Sequence, residues 1–268
     1  PLSHRLVGLL RRRRVYRGWR RPSRFERNLV VIGGGSAGLV SAYMAAALKA
    51  RVTLVERDRM GGDCLNSGCV PSKALIRAAR LARDMGRGPE FGLGGGAPEV
   101  DFAAVMERVQ GVIADIAPHD SPERYARLGV EVLSGSARLV SPWEVEVTAA
   151  DGAVRRLTTR AVVVAAGARP RVPPIPGIAD TGYLTSDTLW DLRRHPGRLL
   201  VLGGGPVGCE LAQAFACLGV PVTLVEMAPR LLAGEDPEVS EAVAAGLAAD
   251  GVRLLLDHRA EAFEAGEG

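Results

Sequence analysis

The sequence is poor in the features that mark secreted scaffolds, zinc modules and membrane spans. It has only four cysteines in 268 residues, which does not suggest the disulfide framework of a small secreted protein. The paired CxxC spacing that is typical of zinc sites is absent. No apolar run reaches about 18 residues, so no segment of this chain is predicted to cross a bilayer as a helix.

Most of the chain also lacks a strong net charge. The basic excess of the sequence is confined to its first residues. Residues 1–27 carry ten arginines and one acid, which gives +9 there and leaves −5 for residues 28–268. A body without a basic field argues against nucleic acid as a main partner. We interpret residues 1–27 as a basic arm: a disordered tail, the flank of a membrane tether upstream of Pro1, or a mitochondrial presequence. The predicted location is the cytoplasm, at the inner face of a membrane if that tether exists.

What the sequence does contain is a pair of cysteines five positions apart, Cys64 and Cys69, in a glycine-rich stretch. The segment after Gly68 is rich in good helix formers, and an ideal helix separates Cα atoms five apart by roughly 8–9 Å. A disulfide needs about 4.4–6.8 Å. A bridge therefore requires the first cysteine to lie on a bent or pre-helical segment, which Gly61, Gly62 and Gly68 permit. We predict a redox-active disulfide, with two buried thiols or a zinc pair as the alternatives.

The second distinctive feature is an internal repeat. The segment LVVIGGGSAGL at 29–39 recurs as LLVLGGGPVGC at 199–209, and VTLVE at 52–56 recurs at 222–226, with an offset of 170 in both cases. A GxGxxG turn between an apolar run and a helical stretch, followed by an acid about 20 residues on, is typical of a dinucleotide-binding βαβ unit. Two copies in register therefore predict two such units.

Each key residue of the repeat has a physical role in that unit. The first glycine allows a tight turn, the second lets the backbone approach a pyrophosphate, and the third lets the helix pack on the strand. The helix N-terminus favours the phosphates, and the acid accepts hydrogen bonds from ribose hydroxyls. These residues are Gly33, Gly35, Gly38 and Glu56 in the first copy, and Gly203, Gly205, Gly208 and Glu226 in the second. The predicted fold class is α/β, with two Rossmann-like three-layer domains that bind FAD and NAD(P), the second of them incomplete.

Two dinucleotide sites and a redox disulfide together define an electron path. The disulfide must touch a flavin ring, and the cysteine pair directly follows the first unit. We therefore predict that the first unit binds FAD and the second binds the nicotinamide nucleotide. The predicted domains are residues 28–170 for FAD and 171–268 for the nicotinamide nucleotide, joined at the proline-rich linker Pro170–Pro176.

The stretch GGDCLNSGCVPSK, which holds both cysteines, resembles the GGxCxxxGCxPSK motif of the class I pyridine nucleotide–disulfide oxidoreductases. The resemblance covers residues 27–268, and the family includes dihydrolipoamide dehydrogenase, glutathione reductase and mercuric reductase. It implies that Cys64 is the interchange thiol, which attacks substrate, and that Cys69 is the thiolate beside the flavin. It also implies that Lys73 pairs with Glu210 close to the reactive nitrogen of the flavin.

The same resemblance adds further cofactor contacts. The predicted FAD contacts are Gly33, Gly35, Ser36, Ala37, Gly38, Glu56, Arg57, Gly62, Asp63, Lys73, Ala137, Ala166 and Gly167. The predicted contacts of the nicotinamide nucleotide are Gly203, Gly205, Pro206, Val207, Gly208 and Glu226. No metal ligand is predicted. The chain departs from the family where Ala165-Ala166-Gly167 replaces Ala-Thr-Gly, and where Asp63 replaces a threonine. Pro206 stands where glutathione reductase has a tyrosine, which favours the mercuric and dihydrolipoamide branches.

By this resemblance we expect the chain to be a piece of a longer protein. The family continues beyond Gly268 with the rest of the nicotinamide domain and a dimerisation domain, whose His–Glu pair acts as acid and base on the substrate thiol. The four histidines of this chain offer no candidate for that role. We expect a homodimer in the full-length form, and an isolated fragment that is inactive.

The predicted function is an FAD-dependent oxidoreductase that passes electrons from NAD(P)H to a small disulfide, thiol or metal-thiolate substrate. A mercuric-reductase-like enzyme is preferred because of the basic arm, and a dihydrolipoamide dehydrogenase is the alternative. A flavin NADH oxidase without a working disulfide and a non-enzymatic binding module are the other classes. NADH is preferred over NADPH because the carboxylate of Glu226 suits a ribose 2′-hydroxyl, with Arg230 as the counter-argument.

Periodicity and turn residues give a coarse secondary structure. The pattern predicts helices at 74–86 and 101–117, hairpin-like strands within 130–148, further strands at 161–167 and 252–256, and a loop at 92–98. Cys209 and Cys217 are predicted to be small buried apolar residues on the helix that follows Gly208.

Overall fold

The computed structural model describes residues 16–94, 96 and 98–264. Its strands and helices are, in chain order, β1 (Arg27–Ile32), α1 (Ser36–Ala47), β2 (Val52–Glu56), α2 (Gly62–Asn66), α3 (Cys69–Gly86), α4 (Phe102–Ile116), α5 (Pro122–Arg127), β3 (Val130–Ser134), β4 (Ser136–Ser141), β5 (Glu144–Thr148), β6 (Val154–Val164), β7 (Leu199–Leu202), α6 (Pro206–Cys217), β8 (Val222–Val225), α7 (Pro237–Ala249) and β9 (Arg253–Leu255). Single 3-10 turns lie at Gly88–Phe91, Ala117–Asp120, Ile178–Thr181 and Leu189–Asp191.

These elements form two units. The first comprises the chain up to Cys64 together with Ile116–Ala168, and the second comprises Leu65–Asp115 together with the chain from Arg169 onward. The break after Ala168 lies close to the predicted boundary at residue 170. Helix α3 and most of α4, however, belong to the second unit rather than to the first. The functional division into an FAD domain and a nicotinamide domain stays a prediction.

The sheet of the first unit has the order β3-β2-β1-β6-β5-β4. Strands β3, β2, β1 and the second half of β6 are parallel, while the first half of β6 pairs antiparallel with β5, and β5 with β4. The prediction of hairpin-like strands within 130–148 was correct for β4 and β5. It was wrong for β3, which pairs in parallel with β2, because alternation identifies the buried face of a strand but not its partner.

The core of the first unit lies on both faces of this sheet. Successive residues of β1 point to opposite faces, and Val30 and Val31 are both fully buried. Val31 packs with Leu39 and Leu54 and with residues of α1, whereas Val30 packs with Leu157 and other residues of the antiparallel strands. Burial on both faces explains why β1 reads as a continuous apolar run.

The second unit contains the parallel sheet β7-β8-β9. Helices α3 and α6 pack against each other. The buried side chains Leu75, Met106, Phe215, Leu224 and Leu247 belong to one hydrophobic cluster, which joins α3 and α4 to α6, α7 and the sheet. This cluster is the physical reason why the stretch after Cys64 belongs to the second unit.

The internal repeat of the sequence is also a repeat of structure. In the first unit Leu29 is paired with Val52, and in the second Leu199 is paired with Val222, so the strand register is the same at the offset of 170. The helix that follows the glycine turn has 12 residues in both copies. The prediction of two strand–turn–helix–strand units is therefore confirmed.

Part of the basic arm lies along the first unit. The ring of Tyr16 lies 5.0 Å from that of Trp143, and the Thr158 N–H donates to the Glu26 carboxylate at 3.0 Å. Arg51 donates to the carbonyl of Phe25 at 2.9 Å. Residues 1–15 of the arm lie outside the described residues. Among the helices that the structure describes, none is long and apolar enough to span a membrane.

The remaining elements differ from the predictions mainly at their ends. The helix predicted at 74–86 starts earlier, at Cys69, and the one predicted at 101–117 is Phe102–Ile116. The strand predicted at 161–167 is the end of β6, which stops at Val164, and β9 lies inside the range predicted at 252–256. Cys209 is buried as predicted, whereas Cys217 is half-buried.

Candidate functional site

The glycine turn after β1 is fixed by close backbone contacts. Gly33 has φ +108°, and a Cβ there would overlap the carbonyl of Ala165. A Cβ on Gly38 would overlap the carbonyl of Gly33. Only glycine suits these two positions, as the sequence predicted for a dinucleotide turn.

The second glycine of the motif could carry a Cβ without a steric clash. Gly35 is the N-cap of α1, with φ −82°, and no side chain caps this helix end. The nearest atom that its Cβ would meet is the Cα of Gly62, at 3.6 Å. Ser36 and Ala37 are exposed in the first helical turn. The N–H groups of this turn therefore form a cradle that can accept an anion.

Glu56, at the end of β2, closes the cradle from the side. Its Oε2 accepts from the N–H of Gly34 at 2.5 Å, and its Oε1 accepts from the N–H of Asp58 at 2.8 Å. The Glu56 carbonyl accepts from the N–H of Gly135 at 2.8 Å. The glutamate is thus held in place by backbone donors beside the turn, with Arg57 exposed next to it.

Two more segments reach the same edge of the first sheet. Gly61 forms an isolated parallel bridge with Gly35, and a Cβ on Gly62 would lie 2.6 Å from the Gly35 Cα. A Cβ on Gly167 would lie 3.4 Å from Oδ2 of Asp63. The structure therefore brings the predicted residues around the first turn together at the carboxyl ends of β1, β2 and β6. Ala137 lies in β4, two residues beyond the Gly135 that contacts Glu56, and Ala166 follows β6.

The second unit repeats this geometry. Gly203 has φ +104°, and a Cβ on Gly208 would overlap the Gly203 carbonyl. Glu226 accepts from the N–H groups of Gly204 at 2.6 Å and Ala228 at 2.7 Å. A Cβ on Gly205 would meet no atom within 4 Å. The second cradle is therefore open at the position where a Cβ in the first would contact Gly62.

Helix α6, which follows the second cradle, has a proline in its first turn, as is common at helix N-termini. Pro206 occupies its first turn, where the missing N–H costs no hydrogen bond, and Val207 is 58% exposed beside it. No side chain caps the end of this helix. The N–H groups behind Gly205 are therefore available to an anion.

Arg230 is engaged by its own loop. Its guanidinium donates to the carbonyls of Glu235 at 2.7 Å and Ala233 at 2.8 Å, and to the Ser240 hydroxyl at 3.0 Å. Ser240 in turn donates to the carbonyl of Leu231 at 2.6 Å. Arg230 thus holds the loop after β8 against α7, instead of extending toward the turn.

The two motif cysteines lie on different helices. Cys64 is half-buried in the short helix α2, and Cys69 is exposed at the first position of α3. Gly61 and Gly62 have φ of +86° and +53°, and Gly68 separates the helices with φ −122° and ψ −106°. The glycines thus keep Cys64 off α3, as the spacing argument requires, and the disulfide itself stays a prediction.

The Lys73–Glu210 pair that the resemblance implies is not formed. Both side chains are exposed, on the packed helices α3 and α6, but no salt bridge joins them in the part of the chain that the structure describes. Their shared role stays a prediction.

The other two cysteines have environments that keep them protonated. Burial, with the nearby carboxylates of Glu226 and Glu210, raises the pKa of Cys209, whose thiol donates to the Gly204 carbonyl at 3.4 Å. Burial and Asp250 raise the pKa of Cys217. Neither has the lowered pKa that is typical of a reactive thiol.

Sequence reasoning missed the middle glycine of each turn. Gly34 and Gly204 donate the N–H that orients the glutamates, yet neither belongs to the GxGxxG pattern. The signal was present, because both turns read GGG at the same offset of 170. Trp190, whose indole N–H donates to the carbonyl of Ser67 in the cysteine motif, was also missed.

Known proteins resemble this chain over most of its length. Mercuric reductase from Bacillus cereus is 36% identical over 244 residues, which are 90% of this chain and 37% of that protein. Dihydrolipoyl dehydrogenase from Chlamydia pneumoniae is 35% identical over 241 residues, 89% of this chain and 51% of that protein. The chain thus spans about half or less of the length of these relatives.

A solved structure shares the fold. A Cu(II) complex of the HOCl-induced flavoprotein disulfide reductase RclA from Escherichia coli superposes with a TM-score of 0.76 at 29% identity, covering 90% of this chain and 51% of that one. The family pattern described as pyridine nucleotide-disulphide oxidoreductase matches residues 27–268. With two dinucleotide turns and a cysteine pair inside that match, the chain belongs to the pyridine nucleotide–disulphide oxidoreductase family.

Proposed function

We propose that this chain is the dinucleotide-binding part of an FAD-dependent oxidoreductase that uses NADH to reduce a Cys64–Cys69 disulfide and, through it, a small substrate. One observation carries the proposal: the duplicated cradle, in which two glycine turns of the same geometry are each closed by a glutamate, with the cysteine pair directly after the first. The proposal includes a homodimer as the assembled state, which sedimentation velocity on the full-length protein tests.

The residues of the first cradle fit a bound FAD. Gly35 leaves space in front of the uncapped N-terminus of α1, where backbone N–H groups can bind a pyrophosphate. Glu56 keeps acceptor capacity for ribose hydroxyls, because each of its oxygens accepts only one backbone bond. Bound FAD supplies a relay for two electrons between the nicotinamide and the disulfide.

The two motif cysteines take up those electrons. Oxidation of one NADH yields two electrons, and a disulfide that accepts two electrons and two protons becomes two thiols. Cys64 then attacks the substrate as the interchange thiol, and Cys69 at the start of α3 is the partner thiol that re-forms the disulfide. A helix N-terminus favours the thiolate form of such a partner.

The second cradle is proposed to take NADH in preference to NADPH. The Glu226 carboxylate suits a ribose 2′-hydroxyl, and a 2′-phosphate would meet like charge there. Arg230 supports this choice, because three of its five N–H donors already bind Ala233, Glu235 and Ser240 in its own loop. Loss of a hydrogen bond to a charged acceptor costs about 1.5–3 kcal/mol, roughly 10- to 150-fold in affinity.

The test is kcat/KM for both nucleotides in wild type, Glu226→Gln and Arg230→Ala. We expect NADH to be preferred in the wild type, Glu226→Gln to reduce that preference, and Arg230→Ala to leave it unchanged. An NADPH preference that Arg230→Ala abolishes would show that the arginine receives a 2′-phosphate.

The proposed substrate is a metal thiolate, as in a mercuric reductase, with a dihydrolipoamide-type dithiol as the second candidate. The sequence identities to mercuric reductase and to dihydrolipoyl dehydrogenase are similar, so both substrates remain candidates. Pro206 in place of a tyrosine argues against glutathione. NADH oxidation by the FAD-loaded full-length protein should be measured with a mercuric thiolate, with lipoamide, and with air alone. Stimulation by mercuric thiolate alone supports the first proposal, stimulation by lipoamide the second. Equal rates in all three would indicate an NADH oxidase and contradict both.

Attachment at the inner face of a membrane is proposed on the described end of the basic arm. Arg17, Arg20, Arg21 and Arg24 are exposed beside Trp19, which is 50% exposed, and none of the four forms a salt bridge among the described residues. Basic residues near an anionic membrane surface each contribute about 1 kcal/mol. The protein should therefore co-sediment with phosphatidylserine vesicles but not with pure phosphatidylcholine, and replacing the four arginines by glutamine should weaken this binding. Equal binding to both vesicle types would contradict the proposal.

A further inference from the structure

Trp190 connects the linker between the repeats to the cysteine motif, within the second unit. It lies in the 3-10 turn Leu189–Asp191 and is 4% exposed. Its indole N–H donates to the carbonyl of Ser67 at 2.9 Å and to that of Ser186 at 2.7 Å. Ser67 is itself buried and stands two residues before Cys69.

Trp190 is firmly held. Its ring belongs to the same hydrophobic cluster as Leu75 of α3 and Met106 of α4. Its own carbonyl accepts from Nε2 of Gln110 at 3.0 Å and from Arg193 at 3.0 Å. The indole N–H is therefore a fixed donor, and the Ser67 carbonyl is held by a rigid partner.

The position of this carbonyl matters because of the residue that follows it. Gly68 is the N-cap of α3, and no side-chain hydrogen bond caps that helix. A glycine samples more backbone conformations than any other residue, so its φ must be restrained from outside. The Ser67 carbonyl belongs to the peptide plane before Gly68, so the bond from Trp190 fixes the orientation from which α3 begins.

Cys69 is the first residue of α3 and depends on that start. The first turn is closed by the N–H of Ser72 donating to the Gly68 carbonyl at 3.0 Å, and by the Ser72 hydroxyl donating to the Cys69 carbonyl at 3.3 Å. If Gly68 rotated, this turn would fray, and the helix N-terminus would stabilise a thiolate at Cys69 less.

We propose that Trp190 is a positioning residue for Cys69: its indole N–H holds the Ser67 carbonyl and so fixes the helical turn that presents the thiol. This rests on the redox role proposed for Cys69. The residue acts through Ser67 and Gly68 and does not itself touch substrate or cofactor.

The experiment measures the rate of Cys69 alkylation by iodoacetamide against pH, by peptide mass spectrometry, in the full-length protein. All variants carry Cys64→Ser, so that the motif disulfide cannot form. Trp190→Phe keeps an aromatic side chain and removes the N–H donor together with part of the buried indole ring. Trp143→Phe, the same chemical change in the first unit, is the matched control. The charged side chains are unchanged throughout: Lys73, Arg77, Arg80, Arg83 and Asp84 on α3, and Glu210 on the helix packed against it.

We expect Trp190→Phe to raise the pH midpoint of alkylation by roughly 0.2–0.7 unit, since a helix terminus contributes about 0.3–1 kcal/mol to a nearby charge. The rate at pH 7 should then fall by about two- to fivefold, while the plateau rate at high pH, which reports access, stays the same. Trp143→Phe should leave both values unchanged. An unchanged midpoint in Trp190→Phe, or an equal shift in the control, would overturn the proposal.

A second variant covers the case in which Trp190→Phe does not fold. Gln110→Leu removes a donor that holds the Trp190 carbonyl, and its midpoint should shift in the same direction by a smaller amount. If that midpoint does not move, the proposal is wrong. The readout needs neither NADH turnover nor a substrate, so a failure of the proposed oxidoreductase function would show in the activity assays and not here.

Discussion

At the scale of single residues, substitutions at two glycines of the first turn should have different effects, one on FAD binding and the other on the stability of the fold. Gly35→Ala adds a Cβ that would meet only the Gly62 Cα, at an ordinary contact distance of 3.6 Å. It should therefore weaken FAD binding by about 10- to 150-fold and cost less than about 1 kcal/mol of stability at this N-cap. Gly38→Ala places the same Cβ on the Gly33 carbonyl, so it should destabilise the fold by about 1–3 kcal/mol. FAD titration and urea unfolding of both variants distinguish the two effects. Equal losses of stability in both would contradict the assignment.

Glu131 gives a residue-scale prediction for acid stability. Burial alone would raise its pKa, but hydrogen bonds from Thr53, Arg27 and Arg155 outweigh burial and lower the pKa to about 2. A folded-state pKa below the usual 4.5 stabilises the fold above that pH, and this stabilisation is lost as the pH falls toward 2. Glu131→Gln should therefore lose less stability than the wild type over that range. Exposed Glu107→Gln is the control, and the wild-type acid profile in Glu131→Gln would contradict the prediction.

At the scale of elements, the sequence was most informative where it repeats itself. The offset of 170 predicted β1, α1 and β2 and their second copies, because glycines and an acid at fixed spacing serve one backbone geometry. Partners far apart in sequence left no such signal. Trp190 and Ser67 are 123 positions apart, and nothing in either local pattern indicates the other. The parallel pairing of β3 was missed for the same reason.

The described end of the arm, Tyr16–Glu26, packs against the rest of the first unit. An aromatic pair contributes about 0.5–1.5 kcal/mol, so Tyr16→Ser should raise the rate of tryptic cleavage at Arg17 to Arg24 by roughly two- to tenfold. The melting temperature of the protein should stay the same. Tyr43→Ser, at an exposed tyrosine of α1, is the matched control. An unchanged cleavage rate would show that the Tyr16–Trp143 contact does not hold this segment.

At the scale of the whole molecule, chain order and spatial grouping differ. The repeat suggested one domain on each side of residue 170, yet Leu75 and Met106 pack in one cluster with Phe215 and Leu224. Helical spacing shows which face of α3 is apolar, but it cannot show which unit buries that face. The cysteine motif is correspondingly divided, with Cys64 ending the first stretch of one unit and Cys69 in the other.

If two dinucleotide cradles serve one redox disulfide, the thiols that NADH produces can be counted. The FAD-loaded full-length protein would be reduced anaerobically with one equivalent of NADH, alkylated, and analysed by peptide mass spectrometry. We predict that Cys64 and Cys69 become alkylated together, two new thiols for each NADH oxidised, while buried Cys209 is unaffected. Oxidation of NADH without new thiols at Cys64 and Cys69 would contradict the claim and leave a flavin oxidase as the explanation.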